Sequence, residues 1–436
     1  MAGICGVFSK ERCVSNILLA THYLQHRAQD YCGIGLSDGK GLKPETHKGL
    51  LKTNFSDETT KFSYGNFGIG CVTSDRQPVA SFSKSGGMLL AFDGNVINYS
   101  ELRERFLEKG ESFLGYREPE EVNDSVIISK IISSERNFVL GIGKLIEVLK
   151  GDFSIIALTN EGIYAARGYG RKPLILGKNN SDYMVSSESV SFNNTGFEII
   201  RDVNPGEVIH INERGIVTLK QFDLPVSYGT FEWIYTADPA SVIDGISVAE
   251  FRIEMGKCLA RRYPIEADFI APIPNSGIYH AIGYSWESKI PFALPLYRYP
   301  YSDRSFTPST QEKRDREART KLNSIKSLIN GKSFITIDDS IVRGTQYLAR
   351  IATLRNNGAT KVHARIAMPP LKHPCLYGKT TKKGEIIAAK KSVEEIKQHL
   401  GLDSLGYGTI EDINYIVNKL SNGKITSLNK LCLECI

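Results

Sequence analysis

Several features of other protein classes are absent from this sequence of 436 residues. No apolar run approaches the ~20 residues that span a bilayer, and the first residues lack the basic, apolar and small-residue regions of a secretion signal. No repeat, long low-complexity segment or RNA-binding motif with interleaved aromatic residues is present. We therefore expect a cytoplasmic protein that acts on neither membranes nor nucleic acids.

The composition is that of a globular protein long enough for two domains. Hydrophobic residues make up 41% of the chain and charged residues 23%. Eight cysteines are scattered along it, and disulfides are not expected in a cytoplasmic chain. The formal net charge of +6 is mild and would suit a phosphate-rich small molecule.

The first half of the chain, predicted as one domain over residues 1–225, is rich in strand patterns. Short apolar strand candidates lie at 89–92 and 153–158, and glycine-rich turns follow them. We expect helices around residues 14–25 and 124–133.

The second half, predicted as a domain over residues 226–436, alternates between strand and helix patterns. Apolar strands are expected at 268–274 and 334–337, and a helical pattern follows each of them, at 277–287 and 345–356. Strand, loop and helix in alternation predict an α/β domain with a parallel sheet.

The most specific motif is Ile-Thr-Ile-Asp-Asp-Ser-Ile-Val-Arg-Gly-Thr at residues 335–345. Ligands of open α/β sheets bind at the carboxyl ends of strands, where Asp338 and Asp339 are expected. Two adjacent carboxylates there can contact sugar hydroxyls or hold Mg²⁺. The turn after them contains Gly344, and its N–H groups, with the following helix N-terminus, can wrap a phosphate.

This motif resembles the signature that binds phosphoribosyl diphosphate (PRPP) in type I phosphoribosyltransferases. Further stretches, in the same order, resemble the amidophosphoribosyltransferase family, and the resemblance covers almost the whole chain. These stretches are Phe-Glu-Trp-Ile-Tyr at 231–235, Asp-Gly-Ile-Ser-Val at 244–248, Pro-Ile-Pro-Asn-Ser-Gly at 272–277 and Arg-Thr-Lys-Leu-Asn at 319–323.

The resemblance implies a role for each matching residue of the second half. Asp338 and Asp339 match the carboxylates that hold Mg²⁺ and PRPP, and Ser276 matches a further metal-associated position. The family's binding turn for the 5-phosphate is matched here by Ser340, Arg343, Gly344 and Thr345. The stretch from Arg304 to Gln311 matches a loop that closes over PRPP.

The first half resembles a type 2 glutamine amidotransferase domain, which has the N-terminal-nucleophile fold, an α+β architecture of four αββα layers. The matching stretches are Leu-Gln-His-Arg-Ala-Gln-Asp at 24–30, Gly-Asn-Phe-Gly-Ile-Gly at 65–70, Tyr-Met-Val-Ser-Ser-Glu-Ser at 183–189 and Asp-Val-Asn-Pro-Gly-Glu at 202–207.

Ala2 stands where that family has its nucleophile, a cysteine exposed when Met is removed, whose α-amine acts as the base. A rival register that starts at Cys5 needs cleavage after Ile4 and a gap in the match. Cys5 is about 10 Å further along a strand and on its opposite face, away from the free amine. We expect Cys5 to be a small buried hydrophobic residue.

Other positions of the glutamine site also depart from the family. Thr73 aligns with the arginine that binds the glutamine carboxylate, and Asp93-Gly94 replaces the Asn-Gly of the oxyanion hole. An ionised Asp93 offers no donor to a developing oxyanion. Asp124, which matches the contact to the substrate amine, is retained. These residues predict a decayed glutaminase site.

Three cysteines match ligands of the [4Fe–4S] cluster that some family members carry, namely Cys375, Cys432 and Cys435. The fourth ligand is missing, because residues 227–230 read Ser-Tyr-Gly-Thr. Cluster proteins usually supply four cysteines. A cluster with a different fourth ligand, a zinc ion and bare thiols all remain open.

The leading hypothesis is an enzyme that forms phosphoribosylamine from PRPP and ammonia, in the first step of purine synthesis, with Mg²⁺ as cofactor. The ammonia would be free or supplied by a separate glutaminase. One alternative is a non-catalytic PRPP-binding paralogue with a regulatory or scaffolding role, and another is a transferase that uses a different amine. The family also implies a homo-oligomer.

Overall fold

The structure, a computed structural model, describes residues 2–55, 65–83, 86–110, 113, 122–299, 322–378 and 384–436. The predicted closing loop, from Arg304 to Gln311, lies outside these ranges. Over the described ranges, every helix is too short or too polar to cross a membrane.

Strands of the first half form two antiparallel sheets that stack on each other. These strands are β1 (Gly3–Phe8), β2 (Tyr31–Ser37), β3 (Leu42–Lys48), β4 (Phe67–Thr73), β5 (Val79–Ser83), β6 (Gly86–Val96), β7 (Gly151–Thr159), β8 (Gly162–Arg167), β9 (Ile175–Asn179), β10 (Asp182–Ser186), β11 (Glu198–Asp202), β12 (Glu207–Asn212) and β13 (Gly215–Gln221). One sheet has the order β11-β9-β10-β1-β4-β2-β3 and the other β13-β12-β8-β7-β6-β5. The predicted strands at 89–92 and 153–158 are confirmed inside β6 and β7.

Helices cover the outer face of each sheet. Those of the first half are α1 (Val14–Tyr23), α2 (Leu51–Asn54), α3 (Tyr99–Glu108), α4 (Asp124–Ser133) and α5 (Phe138–Val148). α1 packs on β1 and β4, whereas α4 packs on β5 and β6, so the layers follow the order αββα. Ile4 and Ile69 of one sheet meet Leu89 and Ile156 of the other in the layer between them. The predicted four-layer fold is confirmed, and α1 and α4 are the two predicted helices.

The second half contains a parallel sheet with helices on both faces. The strands of the second half, of which four form this sheet, are β14 (Tyr228–Gly229), β15 (Val242–Ile243), β16 (Ile246–Ser247), β17 (Phe269–Pro272), β18 (Leu296–Arg298), β19 (Leu322–Ser324), β20 (Ser333–Asp338), β21 (Lys361–Ile366), β22 (Ser404–Tyr407) and β23 (Leu431–Cys432). Its α-helices are α6 (Val248–Arg262), α7 (Ile278–Ser288), α8 (Lys326–Ile329), α9 (Thr345–Asn356), α10 (Val393–Leu400) and α11 (Ile410–Leu420). Single helical turns occur at Ser189–Ser191, Glu232–Thr236, Ile387–Ala389 and Leu428–Lys430.

The central sheet has the order β17-β20-β21-β22, and all three pairings are parallel. Pro272 of β17 lies opposite Ile337 of β20, and Asp338 lies opposite Ile366 of β21, so the carboxyl ends of the strands share one edge. The predicted strand–helix pairs are confirmed as β17 with α7 and β20 with α9. The predicted parallel α/β domain is therefore correct, and the acidic pair lies at the carboxyl edge of the sheet, where ligands of such folds typically bind.

One hydrophobic core joins the two halves of the chain. It includes Ile17 of α1 and Phe192 from the first half, together with Trp233, Phe251 and Met255 from the second. Because this core is continuous, the division after residue 225 stays a prediction.

Candidate functional site

The acidic pair of the 335–345 motif lies at the carboxyl end of β20 and is almost fully buried. The Asp339 N–H donates to Asp338 Oδ1 at 2.9 Å, and the Ser340 hydroxyl donates to Asp339 Oδ2 at 2.6 Å. Arg350, from the second turn of α9, donates to Asp338 Oδ2 at 3.3 Å. The two carboxylates are thus held side by side at the sheet edge where ligands of such folds bind.

The donor set of this pair fits Mg²⁺. Burial, followed by the neighbouring Asp339 carboxylate, raises the pKa of Asp338 well above its usual range, because two anions repel each other away from water. A divalent cation relieves that repulsion, and Mg²⁺ typically takes one or two carboxylates together with substrate phosphates and water. Among the described residues no group of three or more His, Cys, Asp or Glu side chains is placed to hold a metal, so a partner such as a substrate phosphate would complete this coordination.

The rest of the motif forms the turn between β20 and α9. Gly344 has φ +77°, the left-handed conformation that favours glycine, and it has no side chain to cap the helix that starts at Thr345. The first N–H groups of α9 therefore face this turn, an arrangement that can bind an anion at a helix N-terminus. The Arg343 side chain extends along the surface and donates to Glu385 at 2.5 Å.

The loop after β17, which carries Ser276, packs against the end of β20. The Ile273 N–H donates to the Ile337 carbonyl at 2.8 Å. A Cβ at Gly277 would lie 2.2 Å from that same carbonyl, so glycine permits the close approach of the two backbones. The structure thus brings the loop of Ser276 to the same edge of the sheet as Asp338.

The second candidate site lies at the start of the chain, where Ala2, directly before β1, is buried. The Ala2 N–H donates to Asp93 Oδ1 at 2.8 Å, and the Ala2 carbonyl accepts from Arg27 Nε at 2.7 Å. Asp93 is itself fully enclosed. Burial opposes its ionisation, but Lys172, Arg27 and the Ala2 N–H outweigh burial and lower the pKa of Asp93.

Arg27 ties the two halves of the chain together beside Ala2. Its guanidinium contacts Glu188 at 2.6 Å, Glu232 at 3.0 Å and Asp93 at 3.2 Å. His26 also contacts Glu188, at 2.8 Å. Three carboxylates around one buried guanidinium form a satisfied ionic network that occupies the surroundings of the expected nucleophile.

Cys5 packs on the other face of β1 from Ala2, as the sequence predicted. Ala2 lies in the layer between the two sheets, whereas Cys5 belongs to the core under α1. Its Sγ lies 3.3 Å from Thr21 Oγ1, and burial raises the pKa of the thiol to about 12. A protonated, enclosed thiol on the wrong face cannot replace a nucleophile at Ala2.

The remaining residues of the predicted glutamine site are held by internal contacts. Thr73 is fully buried and its hydroxyl donates to the Asp75 carbonyl within the same turn. Asp124 begins α4 and accepts the Val96 N–H at 3.1 Å. Gly94 is required for packing, since a Cβ there would lie 2.2 Å from the Asp152 carbonyl of β7.

The three C-terminal-half cysteines do not fit an iron–sulfur cluster or a zinc ion. Cys375 is exposed, whereas the Cys432 thiol donates to Glu434 Oε2 at 2.7 Å. β23 pairs with β14, so residues 227–230, where the fourth ligand was expected, lie beside Cys432. This stretch offers no thiol there; instead the Thr230 hydroxyl donates to the Cys432 carbonyl. Burial and nearby Cys375 raise the pKa of Cys435 to about 12, and the described part of the chain gathers no set of three metal-binding side chains around it.

Several residues that shape these sites were missed from the sequence. Glu188 and Glu232 lie inside motifs that carry the resemblance, but nothing in those motifs indicates that both residues pair with Arg27. Lys172 and Arg350 lie outside every motif, and only the folded arrangement brings them to Asp93 and Asp338.

Fold and sites together define the class of protein: an N-terminal-nucleophile glutaminase-type domain joined to a type I phosphoribosyltransferase domain. The family model described as a glutamine amidotransferase domain matches residues 67–194. The amidophosphoribosyltransferase of Methanothermobacter thermautotrophicus is 37% identical over 431 residues, which cover 94% of this chain and 90% of that protein. The enzyme of the same name from Methanocaldococcus jannaschii is 34% identical and covers 100% of this chain and 96% of its own length.

Solved structures agree with the sequence relatives. The glutamine PRPP amidotransferase of Bacillus subtilis, solved with ADP and GMP, matches with a TM-score of 0.89 at 32% identity, over 99% of this chain and 96% of that one. A structure described as the allosteric regulatory enzyme of purine biosynthesis also matches with a TM-score of 0.89. The chain belongs to the amidophosphoribosyltransferase family, which consists of pentosyltransferases of purine synthesis.

Proposed function

We propose that this chain forms 5-phosphoribosylamine from PRPP and ammonia, and that it does not hydrolyse glutamine. The observation that carries the proposal is the 2.8 Å contact from the Ala2 N–H to Asp93 Oδ1. Glutamine hydrolysis of this type needs a nucleophile and hydrogen-bond donors aimed at the developing oxyanion. At these two positions the chain has a methyl group and a carboxylate.

The electrostatics of the glutamine site support the same conclusion. Asp93 is kept ionised by Arg27 and by Lys172, whose Nζ lies 3.9 Å from Asp93 Oδ1. An ionised Asp93 would repel the oxyanion instead of stabilising it. Thr73 cannot make the bidentate contact with which an arginine binds a carboxylate. Restoring one residue would therefore leave the site incomplete.

The transferase half retains the groups that PRPP chemistry needs. We propose that Asp338 and Asp339 hold Mg²⁺ with the help of Ser276, which lies in the loop against β20. When bound, Mg²⁺ would neutralise the leaving pyrophosphate. The 5-phosphate is assigned to the phosphate turn, our name for the turn and helix N-terminus formed by Ser340, Arg343, Gly344 and Thr345.

The reaction requires positioning and charge neutralisation more than a protein nucleophile. Ammonia attacks the anomeric carbon, so a C–N bond forms while the C–O bond to pyrophosphate breaks, and a proton is released to solvent. The phosphate turn fixes one end of the substrate and the acidic pair fixes the other. Arg304 and Gln311 belong to the stretch that we assign to loop closure and the exclusion of water.

The source of ammonia and the assembly are further parts of the proposal. With no glutaminase of its own, the enzyme would take free ammonia or receive it from a separate glutaminase. We propose a homo-oligomer, as the resemblance implies, and a cytoplasmic location, as the sequence pattern predicts.

The decisive experiment measures pyrophosphate release from PRPP and Mg²⁺, with ammonium or with glutamine as the nitrogen donor. Release with ammonium alone supports the proposal, and glutamine-dependent release refutes it. PRPP binding without release, under a panel of amines, would indicate the non-catalytic regulatory paralogue. Release with a different amine only would indicate the third function, a transferase for that amine.

Revertant variants test the assignment of the lost site. Ala2→Cys alone should remain without measurable glutaminase activity, because Asp93 still repels the oxyanion. Ala2→Cys combined with Asp93→Asn and Thr73→Arg should release ammonia from glutamine, since a single oxyanion donor is worth about 10²–10³-fold in rate. Ala2→Ser with the same two changes is the matched control, and its lower rate would identify the thiol as the nucleophile.

A further inference from the structure

Arg350 contacts the acidic pair although it lies outside the PRPP motif. It is placed by α9, which starts in the motif and contacts β20 where the Tyr347 hydroxyl lies 2.6 Å from Thr336 Oγ1. Its Nη1 lies 3.3 Å from Asp338 Oδ2, and its side chain is 26% exposed, compared with 7% for that of Asp338. The ion pair therefore sits at the rim of the site, with its cation on the solvent side.

In the described part of the chain, Arg350 is the cation in ion-pair contact with either carboxylate of the pair. Asp339 is instead bonded by the neutral Ser340 hydroxyl. Arg252 is close enough to feel the charge of Asp339, but its N–H groups donate to the carbonyls of Trp233 and Ala237, which hold it in place. Arg350 thus supplies the local neutralisation at the end of β20.

We propose that Arg350 is a positioning residue that holds Asp338 while the site is empty and gives it up when Mg²⁺ and PRPP bind. This inference rests on the proposed function, because it requires Mg²⁺ at Asp338 and Asp339. Arg350 and the cation compete for the same carboxylate oxygen, so the ion pair sets the Mg²⁺ concentration that PRPP binding requires. A partly exposed ion pair of this kind changes an equilibrium by about two- to fivefold.

The test compares Arg350→Gln with Arg355→Gln. Arg355 lies on the same helix and pairs with Asp403, away from the acidic pair, so its loss removes the same charge without touching the site. PRPP binding is measured by isothermal titration calorimetry over a series of Mg²⁺ concentrations, with no nitrogen donor present. The half-saturating Mg²⁺ concentration should fall about two- to fivefold in Arg350→Gln and stay unchanged in Arg355→Gln.

Every other result contradicts the inference or its basis. A higher Mg²⁺ requirement in Arg350→Gln would mean that Arg350 contacts PRPP itself, and an unchanged one would mean that the ion pair has no influence. Arg350→Lys keeps the positive charge and should stay near the wild-type value; if it behaves like Arg350→Gln, charge is not the cause. A wild-type chain that binds no PRPP at any Mg²⁺ concentration would refute the proposed function, whereas Mg²⁺-dependent binding without a shift refutes only the role of Arg350.

Discussion

At the scale of single residues, the thiol of Cys5 should be inert in the native protein. Burial raises its pKa to about 12, so the reactive thiolate is scarce near neutral pH. Cys375 is exposed and provides an internal reference. Brief alkylation of the native chain with iodoacetamide, followed by peptide mass spectrometry, should modify Cys375 and leave Cys5 unmodified. Labelling of Cys5 by an electrophilic glutamine analogue would show that the assignment of the nucleophile position to Ala2 is wrong.

Glu188 should make stability fall in acid. Burial opposes its ionisation, but His26 and Arg27 lower its pKa from 4.5 to about 2. A lowered folded-state pKa means that the ionised group stabilises the folded state above pH 4.5, and that this contribution is lost as the pH falls from 4.5 towards about 2. One such group adds a slope of up to ~1.4 kcal/mol per pH unit to the free energy of unfolding.

The measurement is chemical denaturation at a series of acidic pH values. Glu188→Gln should show a shallower loss of unfolding free energy than the wild type across that window, whatever its absolute stability. Glu108→Gln, at the exposed end of α3, is the control and should keep the wild-type slope. Equal slopes in all three proteins would show that Glu188 does not contribute to the loss of unfolding free energy in acid.

The same residues show what a sequence can and cannot predict. Asp338, Asp339 and Gly344 lie close together in one motif, so the end of a strand and the turn after it could be predicted from the order of residues alone. Arg350 is separated from Asp338 by the whole turn between β20 and α9, and Lys172 is far from Asp93 in the chain. Such pairs depend on how a helix packs on a sheet, which no local pattern contains.

At the scale of elements, α4 can be predicted from the local sequence, whereas α5 cannot. The apolar residues of α4 recur at helical spacing, with Ile127 and Ile128 followed by Ile131 and Ile132, and this spacing predicts that helix. α5 follows it closely and contains Gly141 and Gly143, which lower helix propensity. It forms because Asn137 caps its N-terminus and because Ile142 and Leu145 are buried against the neighbouring helix and sheet. Tertiary packing therefore decides an element that local preference leaves open.

The C-terminal tail is fastened by side-chain contacts and by a short strand pairing. Arg171 of the first half contacts Glu434 at 2.9 Å and lies over the Tyr377 ring at 3.8 Å. The short β23 pairs with β14 beside it. Arg171→Met keeps the apolar stem and removes the charge, so amide exchange of residues 431–435 should accelerate by about five- to thirtyfold, as expected for the loss of 1–2 kcal/mol.

Hydrogen exchange followed by mass spectrometry of the C-terminal peptide checks this prediction. Arg261→Met, which breaks a surface pair with Glu287, is the matched control and should leave the tail unchanged. Exchange in β20 should be the same in both variants. A tail that exchanges at the wild-type rate in Arg171→Met would show that the strand pairing alone holds it.

Because the tail is held in this way, the folded state should not depend on iron or zinc. Protein purified without oxygen should contain neither metal in stoichiometric amount by elemental analysis. Its unfolding temperature should be unchanged after treatment with a strong chelator, since a structural metal would contribute its binding free energy to folding. One cluster per chain, or a chelator-sensitive unfolding temperature, would restore the cluster hypothesis for Cys375, Cys432 and Cys435.

At the scale of the whole molecule, two domain folds share one core and one buried ionic network. The core under α1 continues into residues around Trp233, and Arg27 bridges to Glu232 across the predicted boundary. Domains that unfold separately require an interface that can open without exposing a core. Here, opening would expose apolar surface and leave buried charges unpaired.

The two halves should therefore unfold in a single transition. The chain has two tryptophans, Trp233 and Trp286, and both lie in the second half, so tryptophan fluorescence reports that half, whereas far-ultraviolet circular dichroism reports the whole chain. The two signals should give coincident urea midpoints, because coincidence of probes is the test of a cooperative unit. Glu232→Gln weakens the bridge to Arg27 and should lower both midpoints together. A circular-dichroism transition that precedes the fluorescence transition in the wild type would mean that the glutaminase-type half unfolds independently, and that the shared core does not couple the two domains.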